Sequence, residues 1–239
     1  MIKTIYGFGF LIIAMIFLFP LGLIAAFFYM IGFRKSMKML TYRFAQAWAR
    51  SIIFIAGCTT TVTGISNIPK KGGVGFVSNH CGFFDILLLL GYCGRPFGFI
   101  AKKELLLVPF LNVWIHMLGG LFIDRKNVRK AIRTINEGTQ RIKAGGGMLI
   151  FPEGHRSKGR GLLPFHPGSL KLATSADALI IPVAIQGSYE VFEKNNRVCG
   201  VPVKIAFLTP IETANLKSEE KKQVLCDRIY TVIKEELGY

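Results

Sequence analysis

Acidic residues are scarce in this 239-residue chain, with 14 Asp and Glu against 30 Lys and Arg for a net charge of +16. None occurs before Asp85. Such an imbalance points to a polyanionic partner, either nucleic acid or an anionic lipid surface. Zinc-finger spacing, a helix-turn-helix pattern and an aromatic RNA-binding block are all missing, so nucleic acid is not expected. Cysteine is sparse and odd in number, at positions 58, 81, 93, 199 and 226, with no C-x-x-C pair. That argues against a disulfide frame or a thiolate metal site and fits a reducing compartment. The four histidines show no H-E-x-x-H spacing, so no metal is expected. A hydrolase is disfavoured because the G-x-S-x-G elbow is absent.

Charge is missing altogether between Ile5 and Phe33, a run rich in Phe, Leu and Ile. As one helix it would extend for about 43 Å, more than the ~30 Å hydrocarbon core requires. Pro20-Leu21-Gly22 interrupts it, which leaves open one tilted or kinked span or a pair of short helices dipping into one leaflet. No A-x-A site follows, so a membrane anchor is preferred to a cleaved signal. Arg34, Lys35, Lys38, Arg43 and Arg50 come directly after. By the positive-inside rule, this flank and the domain beyond it belong on the cytoplasmic face of the inner membrane. Met37, Leu40, Phe44, Trp48 and Ile52 recur at helical spacing among these basic residues. The segment from Phe33 to Ile55 is therefore expected to be an amphipathic helix near anionic headgroups, with an ordinary core-facing helix as the alternative. Residues 1–60 are assigned to the anchor and this helix, and 61–239 to a catalytic domain.

Beyond Val74, apolar runs of strand length alternate with helical patterns. Strands are expected at 74–78, 97–101, 121–123, 147–151, 179–186 and 202–208, and helices at 83–92, 109–117, 127–144, 168–175 and 217–237. The clearest helix has Asn127 as N-cap, Val128, Ile132, Ile135 and Ile142 as its apolar stripe, and Gly145 to close it. The last helix turns Leu225, Ile229, Val232 and Ile233 inward. This alternation predicts an α/β fold with a largely buried sheet flanked by helices.

Chemistry concentrates in Asn79-His80-Cys81-Gly82-Phe83-Phe84-Asp85, just after the strand 74–78. A histidine with a carboxylate partner makes a general base whose tautomer is fixed. Five positions apart on one regular helix, the two side chains would diverge by about 140°. They meet only if His80 sits in the turn before a helix that has Asp85 in its first turn, with Gly82 permitting the bend. Cys81 is a poor covalent nucleophile for His80, because adjacent side chains on an extended turn point apart.

Three further segments follow in order: Gly119-Gly120-Leu121-Phe122-Ile123-Asp124-Arg125, Phe151-Pro152-Glu153-Gly154-His155-Arg156-Ser157 and Ile180-Ile181-Pro182-Val183-Ala184. With His80 and Asp85, and with Lys102-Lys103-Glu104-Leu105 between, they resemble the four blocks of the glycerolipid acyltransferases of the lysophosphatidic acid acyltransferase (PlsC) type. The resemblance spans roughly residues 65 to 210. His155 stands where that family usually has Thr. The resemblance implies a mixed sheet flanked by helices, with an N-terminal helical membrane motif. It implies transfer of a fatty acyl group from acyl carrier protein (acyl-ACP) or coenzyme A (acyl-CoA) to the sn-2 hydroxyl of 1-acylglycerol 3-phosphate (lysophosphatidic acid), giving phosphatidic acid for phospholipid biosynthesis. No cofactor beyond the acyl donor is expected. His80 and Asp85 are then the catalytic pair, and Arg125 grips the acceptor phosphate through its planar fork. Glu153, Gly154 and Arg156 complete the acceptor site, with Lys102 and Lys103 as possible additions. Backbone N–H groups in the turn after His80 are the candidates for holding the oxyanion, although the sequence does not show their direction. Another acceptor, such as a lysophospholipid, a lyso-aminolipid or glycerol 3-phosphate, and an inactive lipid-binding protein are the competing readings.

Overall fold

The computed structural model describes residues 32–213 and 219–239, together with Gly9, Pro20 and Ile24. The expected apolar anchor therefore lies almost wholly outside the described residues. Among those residues, no helix is long and apolar enough to cross a membrane.

The chain begins with α1 (Arg34–Ile55) and continues through β1 (Thr59–Thr63), β2 (Val74–Ser78), α2 (Phe84–Tyr92), β3 (Phe97–Lys102), α3 (Leu111–Met117) and β4 (Leu121–Ile123). It goes on through α4 (Val128–Lys143), β5 (Gly147–Ile150), α5 (Lys171–Thr174), β6 (Leu179–Gln186), α6 (Ser188–Val191), β7 (Pro202–Phe207) and α7 (Glu219–Leu237). The seven strands form one sheet in the order β1-β7-β6-β2-β5-β3-β4. All neighbours are parallel except β6 and β7, so the β7 and β1 pair runs against the other five strands. The architecture is α/β with a mixed sheet between helical layers.

Strand β2 lies at the centre, with Val74 opposite Gly147 of β5 on one side and Leu179 of β6 on the other. All five of its residues are buried, as a strand covered on both faces requires. Alternation along the strands separates two cores. Phe76, Leu149, Ile181, Val183 and Ile185 meet α1 and α2, whereas Val77, Met148, Ile150, Ile180 and Ala184 meet α4, α5 and α7.

Helix α1 is built into the first core. Tyr42, Ala45, Ala49 and Ile53 are buried, and the Tyr42 ring meets Phe97 edge-on at 6.2 Å. The small Ala45 and Ala49 let α1 approach α2 closely. The stripe from Met37 to Ile52 divides between the two readings: Trp48 and Ile52 turn inward as in a core-facing helix, whereas Leu40 and Phe44 stay exposed as an outward-facing amphipathic helix requires. Phe54 on the outer face is 81% exposed. In α4, the Asn127 side chain accepts Lys130 N–H at 3.1 Å as an N-cap should. Its expected stripe holds in part, because Ile142 is buried and Ile135 packs against the second core, whereas Val128 is 71% exposed and Ile132 is exposed. Farther along, Thr134 ties α4 to the edge strand β4 by donating to Phe122 C=O at 3.1 Å. Leu225, Ile229 and Ile233 of α7 are buried as expected, whereas Val232 is only half-buried.

Candidate active site

The parallel strands deliver their C-terminal ends to one edge of the sheet, and the singled-out residues collect there. His80 follows β2, and Asp85 sits in the first turn of α2. His80 Nδ1 lies 2.6 Å from Asp85 Oδ2. The same oxygen accepts Cys81 N–H at 2.7 Å and Gly82 N–H at 2.9 Å. A carboxylate oxygen already receiving two backbone donors acts as an acceptor toward the ring. Nδ1 therefore carries the proton, and the Nε2 lone pair is left for substrate. Asp85 is 0% exposed and the His80 side chain 19%, so the pair is sunk yet reachable.

The segment after β5 cradles this turn. Phe151 lies just past the strand, and its ring stacks on His80 with centroids 4.0 Å apart and planes 15° apart. Glu153 is 1% exposed; Oε1 accepts His80 N–H at 2.6 Å and Oε2 accepts Leu163 N–H at 3.2 Å. Burial pushes its carboxyl up to about 7, with a smaller contribution from Asp85, against the opposing effect of the two N–H donors. Ser157 N–H donates to His80 C=O at 2.7 Å. Asn79 fixes the other side, exchanging hydrogen bonds of 2.9 and 2.8 Å with the main chain of Ile185.

The arginines surround this frame. Arg125 is exposed and donates to Gly154 C=O; Gly154 itself has φ +75, a backbone conformation that glycine adopts freely. Arg156 pairs with Glu193 and lies 3.7 Å over the Phe83 ring. Glu193 Oε2 also accepts Phe83 N–H at 2.7 Å. Lys103 is held by Asp124 at 2.8 Å, and Lys102 lies 3.8 Å from Glu104. Beside the pair is an apolar cavity of about 570 Å³ between α1, α2 and α3. Its walls include Phe83, Phe84 and Ile86, which bracket Asp85, with Trp48 and Trp114 among the residues opposite.

Residues 59–186 match the family model described as Acyltransferase. The chain belongs to the acyltransferase family. It is 31% identical over 186 residues to the 1-acyl-sn-glycerol-3-phosphate acyltransferase of Borreliella burgdorferi, covering 77% of this chain and 74% of that one. The protein of the same name from Saccharomyces cerevisiae is 32% identical over 212 residues, covering 82% and 66%. The crystal structure of the 1-acyl-sn-glycerophosphate (LPA) acyltransferase PlsC from Thermotoga maritima superposes with a TM-score of 0.85 at 26% identity, over 98% of this chain and 93% of that one.

Two features of this acyltransferase depart from expectation. The N–H groups expected to hold the oxyanion are committed elsewhere: His80 N–H goes to Glu153, Cys81 and Gly82 N–H go to Asp85, and Phe83 N–H goes to Glu193. Four successive donors are thus consumed by three carboxylates, which fix the turn instead of facing substrate. Glu153, expected at the acceptor, has its carboxylate buried beneath the His80 turn. Neither Arg125 nor Arg156 pairs with it. Burial pushes the Cys81 thiol up to about 12, against the opposing effect of the hydrogen bond that Asn79 donates to its sulfur at 3.1 Å, so the sulfur is not a thiolate nucleophile at neutral pH. Phe151 and Glu193 were not anticipated as site residues. Glu193 lies 37 positions from Arg156, and nothing local in the sequence ties the two.

Proposed function

We propose that this acyltransferase moves a fatty acyl group from a thioester to the sn-2 hydroxyl of 1-acylglycerol 3-phosphate, giving phosphatidic acid. The observation that carries the reading is the 2.6 Å His80–Asp85 contact beside an apolar cavity whose walls adjoin Asp85. The names of the relatives agree with it. Its volume falls within the range of about 300–1,000 Å³ common for small-molecule sites, and its lining suits an alkyl chain.

An alcohol attacks a thioester poorly at neutral pH because its proton must leave as the C–O bond forms. His80 Nε2 takes that proton while Asp85 stabilises the resulting imidazolium. The tetrahedral intermediate collapses by breaking the C–S bond, and the leaving thiolate recovers the proton from His80. Arg125 is the acceptor-phosphate residue in this reading. Its guanidinium is exposed, spends one N–H on Gly154 C=O and shares the His80 corner through Glu153-Gly154. Arg156, half-buried and neutralised by Glu193, shapes the cavity mouth through Phe83.

The donor is an acyl carrier protein or coenzyme A thioester, which already carries its activation, so the reaction needs no further cofactor. The protein works at the cytoplasmic face of a membrane. Support comes from the uncharged run before Phe33 and from exposed Lys38, Arg43, Met39 and Leu40 on α1. Purified protein in detergent, given lysophosphatidic acid with each thioester in turn, tests the reading. Phosphatidic acid should form with at least one donor. Transfer only to a different acceptor would replace the substrate and leave the chemistry.

A further inference from the structure

The Asp85 carboxylate is satisfied on one side only. Oδ2 serves the His80 ring and the Cys81 and Gly82 N–H groups, whereas Oδ1 is buried with no donor. Ser188 Oγ, at the start of α6, is likewise buried without a partner, and Ser188 is 0% exposed.

The fold brings the turn that carries Asp85 against the start of α6. Asn79 clasps the main chain of Ile185, and Cys81 Sγ reaches the Ile185 C=O at 3.7 Å. Three residues beyond Ile185, after a left-handed turn at Gly187 (φ 80), α6 begins and packs on α2. The approach is tight: a Cβ on Gly82 would meet Tyr189 Cα at 3.1 Å and Tyr189 N at 3.2 Å. Tyr189 follows Ser188 directly, and Gly82 N–H is itself bonded to Asp85. The two unpartnered groups are also complementary, because a carboxylate only accepts and a serine hydroxyl carries one donor on a free rotor.

We propose that Ser188 is a positioning residue for the His80–Asp85 pair, its hydroxyl donating to Asp85 Oδ1 with at most one buried water between them. The inference rests on the acyl-transfer reading above. A donor on Oδ1 draws charge away from Oδ2 and holds the carboxylate in the plane that faces His80. Without it the carboxylate becomes more basic toward the ring, so the imidazolium persists to higher pH. The titratable and charged groups around Asp85 are His80 and Cys81 from its own turn, Glu153 and Arg156 from the segment after β5, and Tyr189 and Glu193 from α6 and just beyond. None of them changes in the two Ser188 variants.

The test compares Ser188→Ala and Ser188→Thr with wild type and His80→Ala in one acyl-transfer assay. Ser188→Ala is expected to lower kcat about tenfold, the effect of one hydrogen bond to a charged group, with both KM values unmoved. The acid limb of its pH profile should move to higher pH, and Ser188→Thr, which keeps the hydroxyl, should restore both. In an Asp85→Asn background, Ser188→Ala should cost nothing further. A wild-type kcat and pH profile in Ser188→Ala, with a raised Tm from deleting an unpartnered hydroxyl, overturns the proposal. Activity retained in His80→Ala would instead sink the acyl-transfer reading itself. If Ser188→Ala does not fold, a wild-type structure that places waters decides. Ser188 Oγ, or a water bonded to it, within hydrogen-bond reach of Asp85 Oδ1 supports the proposal, and its absence there refutes it.

Discussion

Replacing Glu153 with Gln separates the charge of this buried side chain from its role as a brace. At pH 8 the wild-type carboxylate is ionised and accepts both His80 and Leu163 N–H. Gln has one acceptor oxygen, so its NH₂ group must face one of those N–H donors, which then loses its partner. An unmade buried hydrogen bond costs about 1–3 kcal/mol. Against that, burial lifts Glu153 from 4.5 to about 7, and ionising it in the fold carries a penalty of roughly 3 kcal/mol that Gln does not. The two effects nearly cancel, so at pH 8 the stability of Glu153→Gln should lie within about 2 kcal/mol of wild type. Turnover should not be spared. The N–H at risk belongs to His80, and displacement of a reacting group by about 1 Å can cost up to ~10²-fold in rate. The stability difference also has a sign in pH. A carboxyl whose folded pKa is raised contributes stability that is complete below about 4.5 and is lost as pH rises through about 7. Wild type should therefore lose stability relative to Glu153→Gln across that window and run parallel to it above. Urea unfolding at pH 5 and pH 8, with kcat at pH 8, reads both effects. A wild-type kcat, or a stability difference independent of pH, would refute the reasoning.

Two other perturbations follow from the same geometry. Arg125→Lys keeps the charge but loses the planar fork, so the KM for lysophosphatidic acid should rise roughly tenfold while the donor KM stays put; the reverse pattern would move Arg125 to the carrier side. Ile86→Trp intrudes on the cavity and should shift donor preference toward shorter acyl chains, read by competition between thioesters of different length, and an unchanged preference would mean that the chain lies elsewhere.

The sequence makes most of this fold legible because the central strands are buried on both faces and read as unbroken apolar runs. β2, β4 and β6 occupy the residues expected for them. β1 was missed for the opposite physical reason. Thr59–Thr63 is a β-branched but polar strand at the sheet edge, alternating between exposed and half-buried positions, so no hydrophobic run announces it. The exposed start of α4 misled in another way. Periodicity shows that a stripe exists, but not how much of its length the rest of the fold covers. At the site, the His80–Asp85 pairing followed from local geometry, with a turn, a glycine and a first helical turn within six residues. The supports of that pair did not. Glu153 reaches His80 across 73 positions and Asn79 reaches Ile185 across 106, contacts that only the strand order of the sheet creates. The oxyanion expectation failed similarly, since the turn N–H groups were foreseen but the carboxylates that claim them come from three segments.

The central claim is that His80 accepts the proton of the attacking hydroxyl. Its most direct test is kcat of His80→Ala at saturating lysophosphatidic acid and thioester, with circular dichroism and Tm confirming an intact fold. Loss of the base predicts a fall of at least ~10²- to 10⁴-fold with the fold unchanged. Turnover near wild type in a folded His80→Ala protein would contradict the account.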